Sequence, residues 1–257
     1  MTDSTGSFIA HCRAMGVQHM TLVTPKLMAA GELDEALSAL RVGGTRVATV
    51  YHVFAAYPTI ASDQGAAAQR LDAAIDIAGT LGAEAIYLLT GARGSLDWED
   101  AAQRFAQLIA PCLQTARARN VTLLVETANA LNTDIHMAHT LPDTIRLARI
   151  AGIGVCIDLH PCWMEAGLKA LFRDAAPITG LVQVSDYVQG DRTTPCRAVP
   201  GDGVIPLERL IGDLLETGYA GLFDLELIGP RIAAEGPYAA SSRAAERLSE
   251  ILLKLGA

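Results

Sequence analysis

The stretch GIGVCIDLHPCW, residues 152–163, contains the clearest evidence for the fold. It begins as a run of buried-strand residues that stops at Asp158, and His160, two cysteines and Trp163 lie around that point. An apolar run of this length is typical of a strand in a parallel sheet, and the loop after such a strand often carries function. A metal site, thiol chemistry and simple loop polarity are all open interpretations at this stage.

Similar short apolar runs recur along the chain and alternate with longer amphipathic segments. The segments 65–82 and 98–120 have helical periodicity, although Pro111 interrupts the second. Alternation of this kind, without a linker or low-complexity tract, predicts an α/β fold, a TIM-type (β/α) barrel formed by one domain over residues 1–257. We predict seven strands, at residues 17–23, 46–54, 84–89, 121–126, 153–158, 181–186 and 222–227.

The first predicted element is a helix at residues 7–16, where an eight-stranded barrel begins with a strand. The usual first strand is therefore missing or irregular. Three arrangements are possible. The barrel is smaller or has a gap, the segment MTDSTG (1–6) occupies the position of the first strand, or a partner chain covers that position. The third arrangement would make the protein a homo-oligomer.

Composition restricts the class of protein. The 257 residues are 51% hydrophobic but only 5% aromatic, which is typical of packed helices around buried parallel strands. A formal net charge of −8 without a basic cluster argues against a nucleic-acid partner. The cysteines are odd in number and scattered, and neither a signal peptide nor a membrane span is evident, so we predict a soluble cytoplasmic protein. They are Cys12, Cys112, Cys156, Cys162 and Cys196.

Oxygen-bearing side chains end four consecutive predicted strands. They are Glu126, Asp158, Gln183 with Asp186, and Glu226. The carboxyl ends of barrel strands meet around one mouth, and carboxylates crowded there repel each other unless a cation lies among them. The set suits one divalent ion, Mg²⁺, Mn²⁺ or Co²⁺, and Zn²⁺ is also compatible. For any one acid alone, a solvated strand end or a helix N-cap is the simpler interpretation.

Three basic side chains are candidates for contact with a substrate. His52 lies near the end of the second predicted strand, Lys26 follows the first, and Arg197 precedes a glycine-rich turn. A guanidinium at that place can form two parallel hydrogen bonds with a carboxylate or phosphate. A buried core histidine and a solvated loop lysine are the competing interpretations of His52 and Lys26.

Other motifs have structural interpretations. The GDG of residues 201–203 lacks the strand, lysine and helix of a phosphate loop, so we predict a structural turn. His136 and His139 are three residues apart and have no third ligand nearby in the sequence, which favours a supporting role. Cys156 shares the inward side of its strand with Asp158, where we expect a small apolar residue rather than a thiolate.

Four stretches together carry a family resemblance: VETAN (125–129), GVCIDLH (154–160), VQVSDY (182–187) and PGDGVIPLERLIGDLLETGYAGLFDLEL (200–227). In this order they resemble the xylose isomerase-like TIM barrels, which are grouped as sugar phosphate isomerases and epimerases. The resemblance extends from about residue 10 to the end of the chain. Its most specific part is the last stretch.

The resemblance implies that Glu126, Asp158, Gln183 and Glu226 are the metal ligands, and that Glu126 and Glu226 also act as an acid/base pair. Many members have histidine where Gln183 stands, and glutamine is similar to the hydroxypyruvate isomerase and 3-dehydroshikimate dehydratase branches. Members often place a substrate-binding histidine three residues after the fifth-strand aspartate. That position is Pro161 here, and His160 comes one residue earlier.

The expected function is therefore a metal-dependent isomerase or epimerase of a small sugar or polyhydroxy carbonyl compound. The bound metal would chelate a carbonyl and a hydroxyl oxygen and favour an enediolate. A lyase is the nearest alternative, since the same proton abstraction followed by β-elimination gives a dehydratase. A DNA-repair endonuclease on this barrel needs more histidine ligands than the six in the chain, as well as a basic face. A non-catalytic binding barrel is a further alternative. It predicts no turnover, so replacing Glu126 or Glu226 would change no activity.

Overall fold

The computed structural model describes residues 4–257, and all seven predicted strands are present there. The strands follow the order of the sequence within the sheet. Their ends differ from the predicted ends by a few residues. The strands are β1 (His19–Val23), β2 (Arg46–Ala55), β3 (Ala85–Gly91), β4 (Thr122–Glu126), β5 (Gly154–Asp158), β6 (Thr179–Val184) and β7 (Phe223–Leu225).

The helices of the described residues fill the segments between strands. The predicted helices at residues 7–16, 65–82 and 98–120 are present as α1, α4 and α5, and Pro111 lies inside α5. The helices are α1 (Thr5–Ala14), α2 (Thr24–Leu27), α3 (Glu32–Leu40), α4 (Ala66–Leu81), α5 (Trp98–Ala118), α6 (Leu141–Ala151), α7 (Leu159–Cys162), α8 (Leu168–Ala175), α9 (Leu207–Leu215), α10 (Pro230–Glu235) and α11 (Pro237–Leu255), with a 3₁₀ turn at Ala176–Ile178.

The N-terminal segment bears on the missing first strand. Within MTDSTG, Ser4 caps α1 by accepting a hydrogen bond from the Ser7 N–H, and Thr5 begins the helix. These residues therefore form no strand. Residues 1–3 lie outside the described part of the chain, so their occupation of the first-strand position stays a prediction.

The chain divides into two compact units. The first contains the chain up to Glu126 together with Asn132–Ala138 and Arg146–Gly154. The second contains Thr127–Leu131, His139–Ile145 and Val155–Ala257. Strands β1 to β4 belong to the first unit, and β5 to β7 belong to the second.

In the first unit, parallel strands are covered by α4 and α5. The buried positions of α4 recur at helical spacing, and Asp97 caps α5 by accepting a hydrogen bond from the Asp100 N–H at 2.8 Å. Phe54 of β2 packs edge-on against Phe105 of α5, with ring centroids 5.3 Å apart. Both rings are fully buried. Replacing either one by alanine would cost about 3–5 kcal/mol, so this layer contributes strongly to stability.

In the second unit, β5 pairs with β6 and β6 pairs with β7, both in parallel. Asp158 is in register with Gln183, and Gln183 is in register with Asp224. The register therefore brings the polar ends of these strands to one edge of the sheet. Among residues 4–257, the helices are too short or too polar to span a bilayer.

Candidate functional site

The site in the second unit is built on the ends of β5 and β6. Asp158 and Gln183 lie opposite each other, and both side chains are fully buried. Side chains alternate along a strand, so Cys156 shares the face of Asp158, and its Sγ lies 3.3 Å from Gln183 Oε1. Glu226 directly follows β7, and its N–H donates to the Val184 carbonyl at 3.2 Å. The hydrogen bonding between β6 and β7 therefore continues to Glu226, whose carboxylate is the third polar group of the site after Asp158 and Gln183.

Arg197 joins the two acids of this site. Its Nη1 donates to Asp158 Oδ1 at 2.9 Å and to Ser185 Oγ at 3.1 Å. Its Nη2 donates to Asp158 Oδ2 at 2.6 Å and forms an ion pair with Glu226 Oε2 at 2.5 Å. Two parallel bonds between a guanidinium and a carboxylate are a strong, directional pairing. A single buried cation therefore balances two carboxylates.

The loop between β6 and α9 places Arg197 by wrapping around Asp186. The main chains of Asp186 and Ala198 exchange two hydrogen bonds of 2.9 Å, and Arg197 directly precedes Ala198. The glycine-rich turn at residues 201–203 packs around the side-chain carboxylate of Asp186. This contact supports the interpretation of GDG as a structural turn. The Asp186 carboxylate accepts N–H hydrogen bonds from Tyr187, Gly201, Gly203 and Ile205, at 2.8 to 3.0 Å.

Burial changes the charge states of the site. It raises the pKa of Glu226 to about 7; Arg197 opposes this shift, and Asp158 and Asp224 add to it. Burial, followed by the positive charge of Arg197, lowers the pKa of His160 to about 4. At neutral pH the His160 imidazole is therefore uncharged, whereas Glu226 exchanges its proton readily.

His160 lies beside Asp158, as the sequence predicts. Asp158 caps the short helix α7, since its Oδ1 accepts the His160 N–H at 3.0 Å. The His160 Nε2 lies 3.8 Å from Cys196 Sγ, and the Cys162 thiol donates to the Asp158 carbonyl at 3.1 Å. Burial raises the pKa of both thiols above the ordinary range. These neutral thiols favour a packing role over thiolate chemistry.

In the first unit, Glu126 ends β4 and is 5% exposed. Its carbonyl oxygen accepts a hydrogen bond from His136 Nε2 at 2.9 Å. His136 Nδ1 accepts the Thr90 N–H at 3.0 Å, so the imidazole links the ends of β3 and β4. The supporting role predicted for His136 agrees with these contacts.

The structure places His52 and Lys26 as follows. His52 lies on the face of β2 that also carries Phe54, which packs against the helical layer. Its Nδ1 lies 2.9 Å from Thr24 Oγ1, and its buried Nε2 has no hydrogen-bond partner among residues 4–257. Lys26, in α2, lines a mainly apolar cavity of about 60 Å³ with Phe8 and Leu22. Substrate contact by either residue stays a prediction.

The donors of the second unit fit a hard divalent cation. Asp158 and Glu226 each offer a carboxylate oxygen, and these atoms lie within 4.8 Å of each other. The pair already binds one cation, the Arg197 guanidinium. Beside it, the buried Gln183 Nε2 has no partner among the described residues, so this end of the amide is available to a ligand. Carboxylate and amide oxygens are donors that Mg²⁺ and Mn²⁺ accept.

The structure brings Asp158, Glu226 and Arg197 together and adds Ser185, which the sequence did not single out. It also shows the contact between Cys156 and Gln183. The alternation of side chains along β5 and the pairing of β5 with β6 could have predicted the contact between Cys156 and Gln183. Ser185 had a weaker one, its place directly after a strand that ends in Gln183 and Val184.

Comparisons with known proteins agree with this architecture. A Streptomyces coelicolor protein named as a hydroxypyruvate isomerase is 30% identical over 167 residues, which cover 61% of this chain and 57% of that protein. The crystal structure of the IOLI protein with a zinc atom has a TM-score of 0.81, with 14% identity over 98% of this chain and 94% of the other.

A third similar protein is the probable 3-DHS dehydratase AsbF of Bacillus anthracis. Its crystal structure has a TM-score of 0.73 and 13% identity, over 99% of this chain and 94% of the other. Likenesses at these identities show the fold, and they confirm the predicted TIM-type barrel class. Residues 9–250 match the model of one protein family. The chain belongs to the xylose isomerase-like TIM barrel family.

Proposed function

We propose that this protein is a divalent-metal-dependent isomerase or epimerase of a small sugar or polyhydroxy carbonyl compound. The observation that carries the proposal is the pair of buried Asp158 and partly buried Glu226, with carboxylate oxygens within 4.8 Å and Gln183 in register beside Asp158. Acids this close need a positive charge beside them. The Arg197 guanidinium supplies one, and a divalent ion would supply another when bound. Family membership supports the same reaction class.

The proposed ligands are Glu126, Asp158, Gln183 and Glu226, which hold one ion, Mn²⁺, Mg²⁺ or Co²⁺, with Zn²⁺ compatible. When bound, the ion would act as a Lewis acid on the substrate's oxygens. The similar structure that contains zinc supports a metal at this fold's site without fixing its identity here. Residues 1–257 would act as one catalytic domain, in the cytoplasm.

Glu226 and Glu126 are the proposed proton-transfer groups. Without metal, burial raises the pKa of Glu226 to about 7. A bound cation would lower this pKa and favour the ionised carboxylate that a general base requires. Arg197 orients Asp158 and Glu226, and it remains a proposed substrate contact. His160, with a neutral imidazole, is the proposed neighbouring substrate contact, and His52 and Lys26 complete the proposed set.

A lyase is the second candidate, and Gln183 is the residue that favours it. Glutamine at this position resembles the branch that includes a dehydratase, and one similar solved structure is named a probable dehydratase. Elimination requires the same proton abstraction but then expels a β-hydroxyl or β-glycosyl group. The product separates the two reactions, because elimination yields an enone that absorbs ultraviolet light.

The test starts with metal analysis of the purified full chain. A proton-exchange screen in deuterated water over ketoses, keto-acids and keto-glycosides follows. We expect one divalent ion per chain, loss of exchange on chelation, and recovery with Mn²⁺ or Co²⁺. An active preparation that contains no metal would refute the proposal.

A variant pair identifies the base. Glu226→Gln retains a donor oxygen but removes the base, so exchange should fall by about 10² to 10⁴. Glu246→Gln makes the same change on an exposed part of α11 and should leave exchange unaltered.

If Glu126→Gln still exchanges the proton but forms no product, Glu226 is the base and Glu126 the partner acid. Wild-type turnover by both Glu226→Gln and Glu126→Gln would exclude the two-carboxylate mechanism.

A further inference from the structure

The side-chain amide of Gln183 is completely buried, and its two ends have different surroundings. Oε1 lies 3.3 Å from Cys156 Sγ, whereas Nε2 has no hydrogen-bond partner among the described residues. The two ends of a carboxamide have nearly the same shape, so the balance of hydrogen bonds decides which end is which.

With Oε1 toward Cys156, the thiol donates one weak hydrogen bond and both amide protons are left unpaired. A buried donor without a partner has lost its hydrogen bonds to water and gained none in return, which is unfavourable. This orientation also turns two N–H groups toward the side of the proposed cation, where they would repel it.

The reverse orientation gives the amide donors a partner. One amide proton then points at Cys156 Sγ, which is a weak acceptor, and one amide proton rather than two is left without a partner. The thiol proton no longer faces the amide, and this loss is small because S–H is a weak donor. Oε1 then occupies the place of the present Nε2 and offers its lone pairs as a ligand. A carbonyl-type oxygen is the donor that a hard divalent ion prefers.

We infer that Cys156 is a positioning residue that accepts a hydrogen bond from Gln183 Nε2 and thereby turns Oε1 toward the metal position. The inference rests on the proposed function, since it assigns a purpose to the amide oxygen. It gives the buried thiol a role in selecting the ligand atom, and it involves no change in the oxidation or protonation of the sulfur.

Nuclear magnetic resonance tests the orientation without metal or substrate. In the full-length apo protein, the Gln183 side-chain amide protons are assigned by their loss in Gln183→Leu. We expect a nuclear Overhauser effect between these protons and the β protons of Cys156, because the amide nitrogen faces the thiol. Assigned amide protons without this effect would overturn the inference.

Metal titration of thiol variants gives the second readout. Cys156→Ser retains an acceptor and should bind Mn²⁺ as the wild type does. Cys156→Ala removes the acceptor and should weaken binding by about three- to tenfold, the effect of one typical hydrogen bond. Cys112→Ala is the matched control, since Cys112 is equally buried but contacts the Ala68 carbonyl in the first unit.

Equal affinities of Cys156→Ala and Cys156→Ser would overturn the positioning role. Failure of the wild-type protein to bind any divalent ion would instead overturn the proposed function, and the Overhauser measurement decides the orientation in both cases.

Discussion

Arg197 contacts three side chains of the site in the second unit: Asp158, Ser185 and Glu226. Its partners Asp158 and Glu226 are 0% and 21% exposed, so water screens their charges poorly. A buried carboxylate without a counter-charge is far less stable than a paired one. Arg197 therefore stabilises the fold whenever the site holds no other cation.

If the proposed metal binds at this site, the stability of an Arg197 variant should depend on it. In the absence of metal, Arg197→Met should lose about 3–5 kcal/mol of unfolding free energy, because both acids lose their counter-ion. Urea unfolding with and without Mn²⁺ measures the effect, and Mn²⁺ should recover part of the loss. Arg243→Met, which breaks exposed pairs with Asp202 and Glu235, should cost about 1 kcal/mol or less and show no recovery. An Arg197 variant that behaves like the Arg243 variant would contradict this account.

His52 makes stability depend on pH. Burial, followed by the charge of Arg70, lowers its pKa to about 4, whereas an unfolded histidine titrates near 6.5. The unfolded chain therefore binds the extra proton first as pH falls, and stability is lost from about pH 6.5 down to about pH 4. The full loss is roughly 3 kcal/mol, and His52→Asn should remove that part of the slope. Denaturation of both proteins at several pH values between 7 and 4.5 tests this, and parallel curves would rule it out.

At the scale of elements, the loop between β6 and α9 depends on one carboxylate. Asp186 gathers N–H groups that are distant in sequence, and a Cβ at Gly203 would overlap the Tyr187 carbonyl oxygen and Asp186 Oδ1. The carboxylate thus does inside the protein what an anion does when bound in a backbone nest. Its effect reaches the site because the bridge from Asp186 to Ala198 fixes the neighbouring Arg197.

Removal of this anchor should loosen the whole loop. In Asp186→Ala the N–H groups lose their acceptor, and we expect a loss of about 2–4 kcal/mol with faster amide exchange across residues 187–205. Asp202→Ala removes an exposed carboxylate from the same loop and is the control. Hydrogen exchange followed by mass spectrometry gives the result, and unchanged protection in the Asp186 variant would show that the loop is held otherwise.

At the scale of the molecule, metal binding and folding are thermodynamically linked. If the folded chain binds the ion and the unfolded chain does not, free metal at about 100 times the dissociation constant adds about 2.7 kcal/mol to stability. The unfolding free energy should then rise by about 1.4 kcal/mol for each further tenfold increase. Asp158→Asn should show little of this rise. A metal-independent unfolding curve for the wild type would contradict the proposed site.

Much of the fold could be predicted from the sequence because buried parallel strands are short apolar runs between amphipathic helices. Asp158 and Gln183 could be placed for a related reason, since alternation and strand ends fix where their side chains lie. The contacts of Arg197 could not, because they depend on how a loop of some twenty residues folds around Asp186. The face of β2 on which His52 lies could be predicted from its parity with Phe54, whereas contact between His52 and a substrate stays a prediction.

The guanidinium of Arg197 also bears on how the protein would acquire the proposed metal in a cell. Because its clustered acids have an internal counter-ion, we expect the chain to complete folding without a bound ion. Synthesis in metal-poor medium should then yield an intact, soluble apoprotein rather than a degraded one. The ion that finally occupies the site would be set by what the compartment supplies, so different growth media should give different metals in the same folded chain.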